Sequence, residues 1–281
     1  MKNEIAPRRA SPFLVWLATV LGVAVAVLYI VSTAAHAEWD NAAMNVQIDQ
    51  TNFLVNDNCS ATLIDKDKGL LLTASHCVEG QYTTVEREKI DDKGRVTTEK
   101  VRVATPGTVS QLFFKGTAET SRSVYMFKIV KSGSAENGVD LAVIQILAKL
   151  PNTAEAKLSC VEPDRGSEVY AVGNPRAVLY ASVSKGIVSS INRNYRMLGL
   201  EHDDGLIQTT AAIGGGSSGG ALYNENGQII GVVVRGYQQI SPLGLSVPLS
   251  DIKTFMKDDP ATEKLTVCPG DAVVPPVDGP F

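Results

Sequence analysis

The sequence predicts an all-β fold, because short apolar segments recur along it and turn-forming residues separate them. The clearest segment is residues 229–234, a run rich in β-branched residues that follows the tight-turn signal Asn226-Gly227. Helical signal is scarce, and the best case is residues 250–256, where a capping residue precedes apolar residues at helical spacing. Many short strands with one terminal helix indicate a β-barrel or a β-sandwich.

Strand candidates lie on both sides of a highly charged stretch, residues 79–100, which we expect to be a solvated excursion or a hairpin with its turn at residues 91–94. The candidates before residue 150 are 51–55, 59–64, 70–73, 101–103, 111–114, 125–130 and 139–144. Those after it are 168–172, 182–191, 205–210, 221–223, 228–234 and 244–247.

Length and charge restrict the classes of function. A chain of 281 residues can bury a sizeable core, either as one large all-β unit or as two small lobes. Its formal net charge of −4 gives no basic surface, so we expect no nucleic-acid partner.

The N-terminus has the pattern of an export segment. Residues 13–31 form an uncharged apolar run, with basic residues before it and a small-x-small cleavage pattern, Ala35-His36-Ala37, after it. The run is long for a signal peptide and just long enough to span a bilayer. Residues 1–37 are therefore either a cleaved signal peptide or a retained anchor, which would be the one contact with a membrane. Both alternatives predict an extracytoplasmic protein, periplasmic or secreted.

Four cysteines fit an oxidising compartment: Cys59, Cys77, Cys160 and Cys268. They lack CxxC spacing and the chain has three histidines, so we expect no zinc site. Four buried free thiols are the alternative, which export disfavours.

The most unusual stretch is glycine-rich, residues 214–220, and it contains Ser217 and Ser218. By composition it would be a flexible linker. Its position between apolar segments favours a second interpretation, a turn in which glycines free backbone N–H groups to point at a ligand. A serine in such a turn could be a nucleophile.

A serine nucleophile needs a base and a carboxylate. His36 lies in the export segment and His202 in an acidic loop, which leaves His76, at the end of an apolar strand. Asp140 begins another apolar strand, where a buried carboxylate is costly unless a donor contacts it. Taken singly, His76 would be structural and Asp140 a turn cap. Together with Ser218 they predict a catalytic triad.

Several motifs carry a resemblance to a known family, and they follow one another in family order from about residue 50 to about residue 250. They are Cys59-Ser60-Ala61-Thr62-Leu63-Ile64, Leu72-Thr73-Ala74-Ser75-His76-Cys77, Val139-Asp140-Leu141-Ala142-Val143, Ala171-Val172-Gly173-Asn174-Pro175, Gly186-Ile187-Val188-Ser189, Ile207-Gln208-Thr209-Thr210-Ala211-Ala212-Ile213 and Ser218-Gly219-Gly220-Ala221-Leu222. With these motifs the chain resembles the trypsin-like serine proteases, and specifically the protease domain of the HtrA/Deg group.

The resemblance implies two perpendicular six-stranded antiparallel β-barrels within residues 38–258, joined near residues 150–165. A short C-terminal helix follows the barrels, and a hydrophobic helix precedes them at the N-terminus. Residues 259–281 would form a proline-rich tail, partly tied by Cys268.

The family also assigns roles to residues. Its nucleophile directly precedes two glycines, so it is Ser218 and not Ser217, and the oxyanion donors are the N–H groups of Gly216 and Ser218. Cys59 and Cys77 match a disulfide of the family, and Cys160 would then pair with Cys268.

The chain departs from the family pattern in two respects. Ser217 stands where Asp or Asn is usual, so activation by a new N-terminus is not expected and the resting conformation of the loop is an open question. The chain after about residue 258 is also too short for a PDZ domain, so regulation by peptide sensing is not expected.

The family places the floor of the primary specificity pocket six positions before the nucleophile, which is Ala212 here. Alanine cannot pair with a basic side chain. Ala212, Gly244 and Ser246 therefore suggest a pocket for small or medium apolar side chains.

The sequence thus predicts an exported serine endopeptidase that acts on protein or peptide substrates, without a metal or an organic cofactor. The first alternative is a catalytically silent binding protein on the same fold. The second is a structural domain with a glycine-serine hinge. An esterase is a third, but the helix pattern and chain order of α/β-hydrolases are absent from the sequence.

Overall fold

The computed structural model describes residues 50–115, 118–135, 138–150, 154–191, 205–237 and 243–268. The predicted N-terminal hydrophobic helix, the cleavage pattern and most of the proline-rich tail lie outside these ranges. Within them, no helix is both long and apolar enough to cross a bilayer.

The described residues form fourteen strands and one α-helix, together with short 3₁₀ turns. The strands before residue 150 are β1 Asn52–Val55, β2 Cys59–Asp65, β3 Leu70–Thr73, β4 Tyr82–Ile90, β5 Val96–Ala104, β6 Gly107–Lys115, β7 Ala118–Ser132 and β8 Ala142–Ile146. Those after it are β9 Glu168–Gly173, β10 Ser182–Ser190, β11 Ile207–Thr209, β12 Ala221–Tyr223, β13 Ile229–Tyr237 and β14 Leu243–Pro248, and the helix α1 is Leu249–Lys257.

The strands close into two six-stranded barrels, as the family resemblance implies. The first has the order β1-β2-β3-β8-β7-β6 and the second the order β10-β11-β14-β13-β12-β9. Neighbouring strands are antiparallel throughout both barrels. Closure leaves neither sheet with a free edge, and each barrel encloses its own apolar core.

The cores consist of the apolar runs that the sequence predicts to be strands. In the first barrel β3 is buried along its whole length, and Leu63 and Ile144 from its two neighbouring strands have no exposed surface. In the second barrel, residues of β9 to β13 pack as one cluster, in which Val169, Ile207 and Val233 are fully buried.

The charged stretch after the first three strands is a hairpin. Strands β4 and β5 pair over nine positions as a separate two-stranded sheet, and every residue of β4 after Tyr82 is exposed. Its turn is held by Asp91, whose Oδ1 accepts hydrogen bonds from the N–H groups of Lys93 and Arg95, at 2.8 and 2.9 Å. Of the two alternatives, excursion or hairpin, the second is therefore correct.

The C-terminal helix α1 follows β14 directly and buries Leu249, Ile252 and Met256. The predicted helix is thus present, but neither Ser250 nor Asp251 is its cap. The capping position is Pro248, which has no side-chain hydrogen bond to the helix. The extended backbone of Pro248 suits the end of a strand, and the helix begins at Leu249, two residues before the start that a Ser250 cap would give.

A disulfide between Cys160 and Cys268 joins the segment between the barrels to the chain beyond α1. Cys160 is exposed, and the Lys253 Nζ lies 3.5 Å from the Cys268 sulfur. This disulfide closes a loop of 108 positions.

Candidate active site

Two neighbouring strands of the first barrel bring His76 and Asp140 together. His76 lies in a 3₁₀ turn, Ser75–Cys77, just after β3, and Asp140 lies just before β8. Strands β3 and β8 are antiparallel partners, with Thr73 opposite Ala142. The end of one strand and the start of the next therefore lie side by side, although 64 positions separate the two residues.

The two side chains are in direct contact. The Nδ1 atom of His76 lies 2.7 Å from Oδ2 of Asp140. The second carboxylate oxygen, Oδ1, accepts hydrogen bonds from the His76 backbone N–H at 3.0 Å and from the Ser75 hydroxyl at 2.7 Å. Both carboxylate oxygens are thus occupied, so the carboxylate cannot turn without losing hydrogen bonds. Ser75 was not singled out from the sequence, since nothing but contact with Asp140 distinguishes it.

These contacts determine the charge on Asp140. Burial alone would raise the pKa of Asp140, but the hydrogen bond and the attraction from the His76 ring lower it. Hydrogen bonds from the Ser75 hydroxyl and the His76 N–H lower it further, and the pKa of Asp140 lies below its ordinary value. The carboxylate is therefore ionised at neutral pH and can hold the imidazole with Nδ1 protonated and Nε2 free to accept a proton.

The Cys59–Cys77 disulfide connects this pair to the glycine-rich stretch. A ring nitrogen of His76 lies within 4.8 Å of both sulfurs, and the Cys77 sulfur lies 3.6 Å from the carbonyl oxygen of Ser218. Both cysteines are largely buried, at 4% and 9% exposure. His76 and Ser218 thus flank one disulfide, although they belong to different barrels.

The glycine-rich stretch is an ordered turn. Two tight turns follow one another: Ser217 N–H bonds to Gly214 O at 3.0 Å, and Gly220 N–H bonds to Ser217 O at 3.0 Å. In each turn the third residue is a glycine with positive φ, Gly216 at +95° and Gly219 at +84°. This conformation explains the glycines, because other residues rarely adopt it.

Substitution at Gly216 would meet the backbone as well. A Cβ there would lie 2.4 Å from the Asn174 carbonyl oxygen, so this position admits no side chain without a shift. At Gly215, in contrast, a Cβ would meet nothing within 4 Å.

Most carbonyls in the turn accept hydrogen bonds from described residues, but several of its N–H groups donate none to them. The carbonyls of Gly215, Gly216 and Ser218 accept bonds from Arg176 N–H, the Ser60 hydroxyl and Ser60 N–H respectively. Within the part of the chain that the structure describes, the N–H groups of Gly216 and Ser218 have no acceptor. The N–H of the exposed Gly215 has none either.

The Ser218 hydroxyl donates to the carbonyl oxygen of Val234 at 3.2 Å. Its hydrogen bond is therefore to strand β13 of its own barrel, and the hydroxyl makes none to His76 in this structure. Catalytic hydrogen bonds are often absent or long without substrate.

The residues predicted to line the specificity pocket separate in the structure. Ala212 is exposed and borders a cavity of about 170 Å³, whose other walls include Leu179, Val183 and Ser217. Gly244 is covered by Ile213, since a Cβ on Gly244 would lie 2.3 Å from the Ile213 Cδ1 atom.

Ser246 does not reach a surface. It is fully buried in the second barrel, and its hydroxyl has no hydrogen-bond partner among the described residues. Ser246 lies in β14, opposite Ile207 of β11 and Val233 of β13. Both of these belong to the apolar core, and paired residues share a face of the sheet, so the Ser246 side chain faces the barrel interior. Ile213, which the sequence analysis did not propose, contacts Gly244 instead, and its place directly after Ala212 was the available signal.

Comparison with known proteins gives a family and several relatives. Residues 59–232 match the family model of the trypsin-like peptidase domain. The magnetosome formation protease MamE of Magnetospirillum gryphiswaldense is 28% identical over 209 residues, which are 72% of this chain and 22% of MamE. A probable periplasmic serine endoprotease, DegP-like, of Buchnera aphidicola is 42% identical over 94 residues, 33% of this chain and 19% of the relative.

Among solved structures, the serine endoprotease from Yersinia pestis has the same fold. It superposes with a TM-score of 0.51 at 22% identity and covers 79% of this chain and 66% of that one. The chain spans less than half the length of the first curated relatives, between 18% and 40%.

The match covers more than half of the chain, and it contains the segments that carry His76, Asp140 and Ser218. The two closed barrels agree with it. This chain belongs to the trypsin-like peptidase family.

Proposed function

We propose that the chain is a serine endopeptidase that hydrolyses peptide bonds through Ser218, His76 and Asp140. The observation that carries this proposal is the contact of 2.7 Å between His76 Nδ1 and Asp140 Oδ2, beside a turn with unpaired N–H groups at Gly216 and Ser218. A base with a fixed tautomer and a set of oxyanion donors are the two requirements of acyl transfer by serine.

The reaction begins when substrate enters and the Ser218 hydroxyl turns from Val234 to His76. Ser218 Oγ attacks the scissile carbonyl carbon while His76 Nε2 takes its proton. The carbonyl oxygen becomes an oxyanion and accepts hydrogen bonds from the N–H groups of Gly216 and Ser218. His76 then protonates the leaving amine, and water hydrolyses the acyl-enzyme by the same steps in reverse order.

Removing an oxyanion donor or Asp140 should raise the activation free energy of the reaction. One oxyanion donor contributes roughly 3–4 kcal/mol to transition-state stabilisation in enzymes of this chemistry. Asp140 acts through His76: it keeps Nδ1 protonated and stabilises the imidazolium that forms in the transition state. The lowered pKa of Asp140 supports this role, because the carboxylate stays charged.

We infer that substrates carry a small or medium apolar side chain before the scissile bond. Ala212 offers no charge to pair with lysine or arginine, and Ile213 fills the space beside Gly244 with apolar surface. A peptide library would test this preference, and efficient cleavage after lysine or arginine would contradict it.

We place the protein outside the cytoplasm, in the periplasm or secreted. Two disulfides fit an oxidising compartment, one relative is named periplasmic, and residues 1–37 have the pattern of an export segment. Whether that segment is cleaved or retained as an anchor can be determined by N-terminal sequencing of the mature protein.

Labelling with a fluorophosphonate tests the function directly. The wild type should react at Ser218, located by peptide mapping, and should cleave denatured protein, whereas Ser218→Ala should do neither. A loss of about 10⁶ in kcat is typical when a serine nucleophile is removed.

The competing function is a binding protein with a silent site, and the hydrogen bond of the Ser218 hydroxyl to Val234 is the observation that favours it. A wild type that labels no faster than Ser218→Ala would establish this alternative. A wild type that labels but cleaves no protein would indicate that the natural substrate is not a denatured polypeptide.

A further inference from the structure

Ser60 belongs to the first barrel, but it bonds to the nucleophile turn of the second. It lies in β2, directly after Cys59, and is fully buried. Its backbone N–H donates to the carbonyl of Ser218 at 2.7 Å, and its hydroxyl donates to the carbonyl of Gly216 at 2.7 Å. One residue thus binds two alternate carbonyls of the turn.

The direction of the Ser60 hydroxyl proton follows from its other contacts. The Oγ atom accepts hydrogen bonds from the Asn174 backbone N–H at 2.8 Å and from the Asn174 Nδ2 at 3.1 Å. A hydroxyl has one proton and two lone pairs. Both lone pairs are occupied by donors, so the proton must point at Gly216.

The orientation of Asn174 is fixed in turn. Its Oδ1 accepts the backbone N–H of Ala181 at 2.9 Å, and its Nδ2 donates to the carbonyl of Phe53 at 3.0 Å. A flipped amide would place two donors together at Ala181 and two acceptors together at Phe53. Asn174, buried at 1% exposure, therefore presents N–H groups to Ser60 in one arrangement.

The bonds from Ser60 fix the orientation of two planar peptide groups in the turn. Ser60 holds the peptides that follow Gly216 and Ser218 by their carbonyls, and the N–H ends of the same peptides bond to Gly214 and Val233. These two fixed peptides alternate with the two peptides whose N–H groups, on Gly216 and Ser218, are unpaired. Fixing one peptide on each side determines where the N–H between them points.

We propose that Ser60 is a positioning residue that sets the oxyanion-binding N–H groups of Gly216 and Ser218 from across the barrel interface. This inference rests on the proposed function. It also accounts for Ser217, which stands where Asp or Asn is usual, because a serine of the other barrel anchors the turn. Among the described residues the Ser217 hydroxyl has one hydrogen bond, a long one from Gly214 N–H at 3.4 Å.

The test compares Ser60→Ala with Ser159→Ala. Ser159 is a matched control, because it is buried at 2% exposure and its hydroxyl likewise donates to one backbone carbonyl and accepts from one backbone N–H, both of Val161. It lies in the segment between the barrels. Both variants lose a buried hydroxyl, Ser60→Ala with three hydrogen bonds and Ser159→Ala with two, so both should be destabilised and Ser60→Ala somewhat more.

We expect Ser60→Ala to lower kcat on a peptide substrate at least about tenfold with little change in KM, because the oxyanion donors act in the transition state. Its affinity for a peptide aldehyde, which forms a tetrahedral oxyanion on the nucleophile, should fall by a similar factor. Ser159→Ala should change neither quantity. Ser60→Thr, which keeps the hydroxyl, should recover most of kcat.

Equal kcat values for folded Ser60→Ala and Ser159→Ala would overturn the inference and leave the proposed function intact. A Ser60→Thr variant that folds but loses kcat and aldehyde affinity would also overturn it, even if Ser60→Ala does not fold. A wild type that neither cleaves peptide nor reacts with a fluorophosphonate would instead refute the proposed function, and the inference with it.

Discussion

The two barrels contribute to the site in different ways. The first barrel organises side chains: His76 and Asp140 already touch, and each oxygen of the carboxylate is occupied. The second barrel organises backbone: the turn around Ser218 has fixed carbonyls and unpaired N–H groups, while the nucleophilic hydroxyl points to Val234. In the mechanism proposed above, the base and the oxyanion site are thus formed in advance, and the Ser218 hydroxyl has to turn from Val234 to His76.

This difference means that the same type of substitution should act differently in the two barrels. In the first, changing one polar atom removes a side-chain partner and its charge. In the second, side chains matter less than whether the backbone can keep its conformation.

Among the substitutions that test this difference between the barrels, the largest effect is expected from Asp140→Asn. The amide would present a donor to His76 or fail to hold Nδ1 protonated, so the wrong tautomer would dominate. We expect kcat to fall about 10⁴-fold with little change in KM, measured on a peptide substrate. Ser75→Ala, which removes one donor to the same carboxylate, should cost far less. A loss for Asp140→Asn of less than about tenfold would show that the pair is structural.

The second-largest effect is expected from a substitution that disturbs the backbone of the turn in the second barrel. Gly216→Ala would force a residue with a Cβ into φ of +95° and to 2.4 Å from the Asn174 carbonyl oxygen. The turn must move, and we expect kcat to fall by about 10²–10³, the cost of losing one oxyanion donor. Gly215→Ala is the neighbouring control, because its Cβ enters open space. Similar kcat values for the two variants would contradict the role of the turn.

The two disulfides should differ in their effect on kcat, because only the Cys59–Cys77 bridge lies beside His76 and Ser218. Replacing Cys59 and Cys77 by alanine should lower both stability and kcat, since this bridge flanks His76 and Ser218. Replacing Cys160 and Cys268 should lower stability alone. Loop-closure entropy gives roughly 3 kcal/mol for the first bridge and between about 4 and 5 for the second, which closes the longer loop. Denaturant unfolding measures stability, and kcat is measured on the folded fraction.

The smallest effect concerns acid stability. The pKa of Asp140 is lowered on folding, so its contribution to the free energy of unfolding is fully present above the ordinary carboxyl pKa of about 3.9. It is lost as the pH falls further, through the folded value. Urea unfolding of the wild type between about pH 5 and pH 2 should therefore show a decline that Asp140→Asn lacks in part. Parallel curves would indicate that folding does not lower the pKa of Asp140.

Much of the fold could be predicted, and candidates for the three reactive residues could be chosen, because their signals are local. An apolar run such as residues 229–234 specifies a strand by its composition, and His76 and Asp140 each follow or begin one. Few residue types can serve as a nucleophile, a base or an orienting carboxylate, so the chemistry leaves a small number of candidate residues. The resemblance then chose between Ser217 and Ser218, which composition could not separate.

The rest depends on contacts between distant residues. Ser60 and Gly216 are 156 positions apart, and a buried serine has no local mark that reveals its partner. The sequence suggests Ser246 as a pocket residue, but its burial depends on how β14 pairs with β11 and β13. Arg176 and Ala177 adopt positive φ, at 57° and 54°, without being glycines. Their conformation follows from the loop that brings Arg176 N–H to Gly215 O.

The hydrogen bonds from Ser60 to the turn have a consequence for the biosynthesis of the protein. A chain in which only one barrel has folded holds either the base or the nucleophile turn, and the turn then lacks the residue of the other barrel that anchors it. The arrangement of His76, Asp140 and the anchored turn around Ser218 is therefore complete only when both barrels have folded and docked.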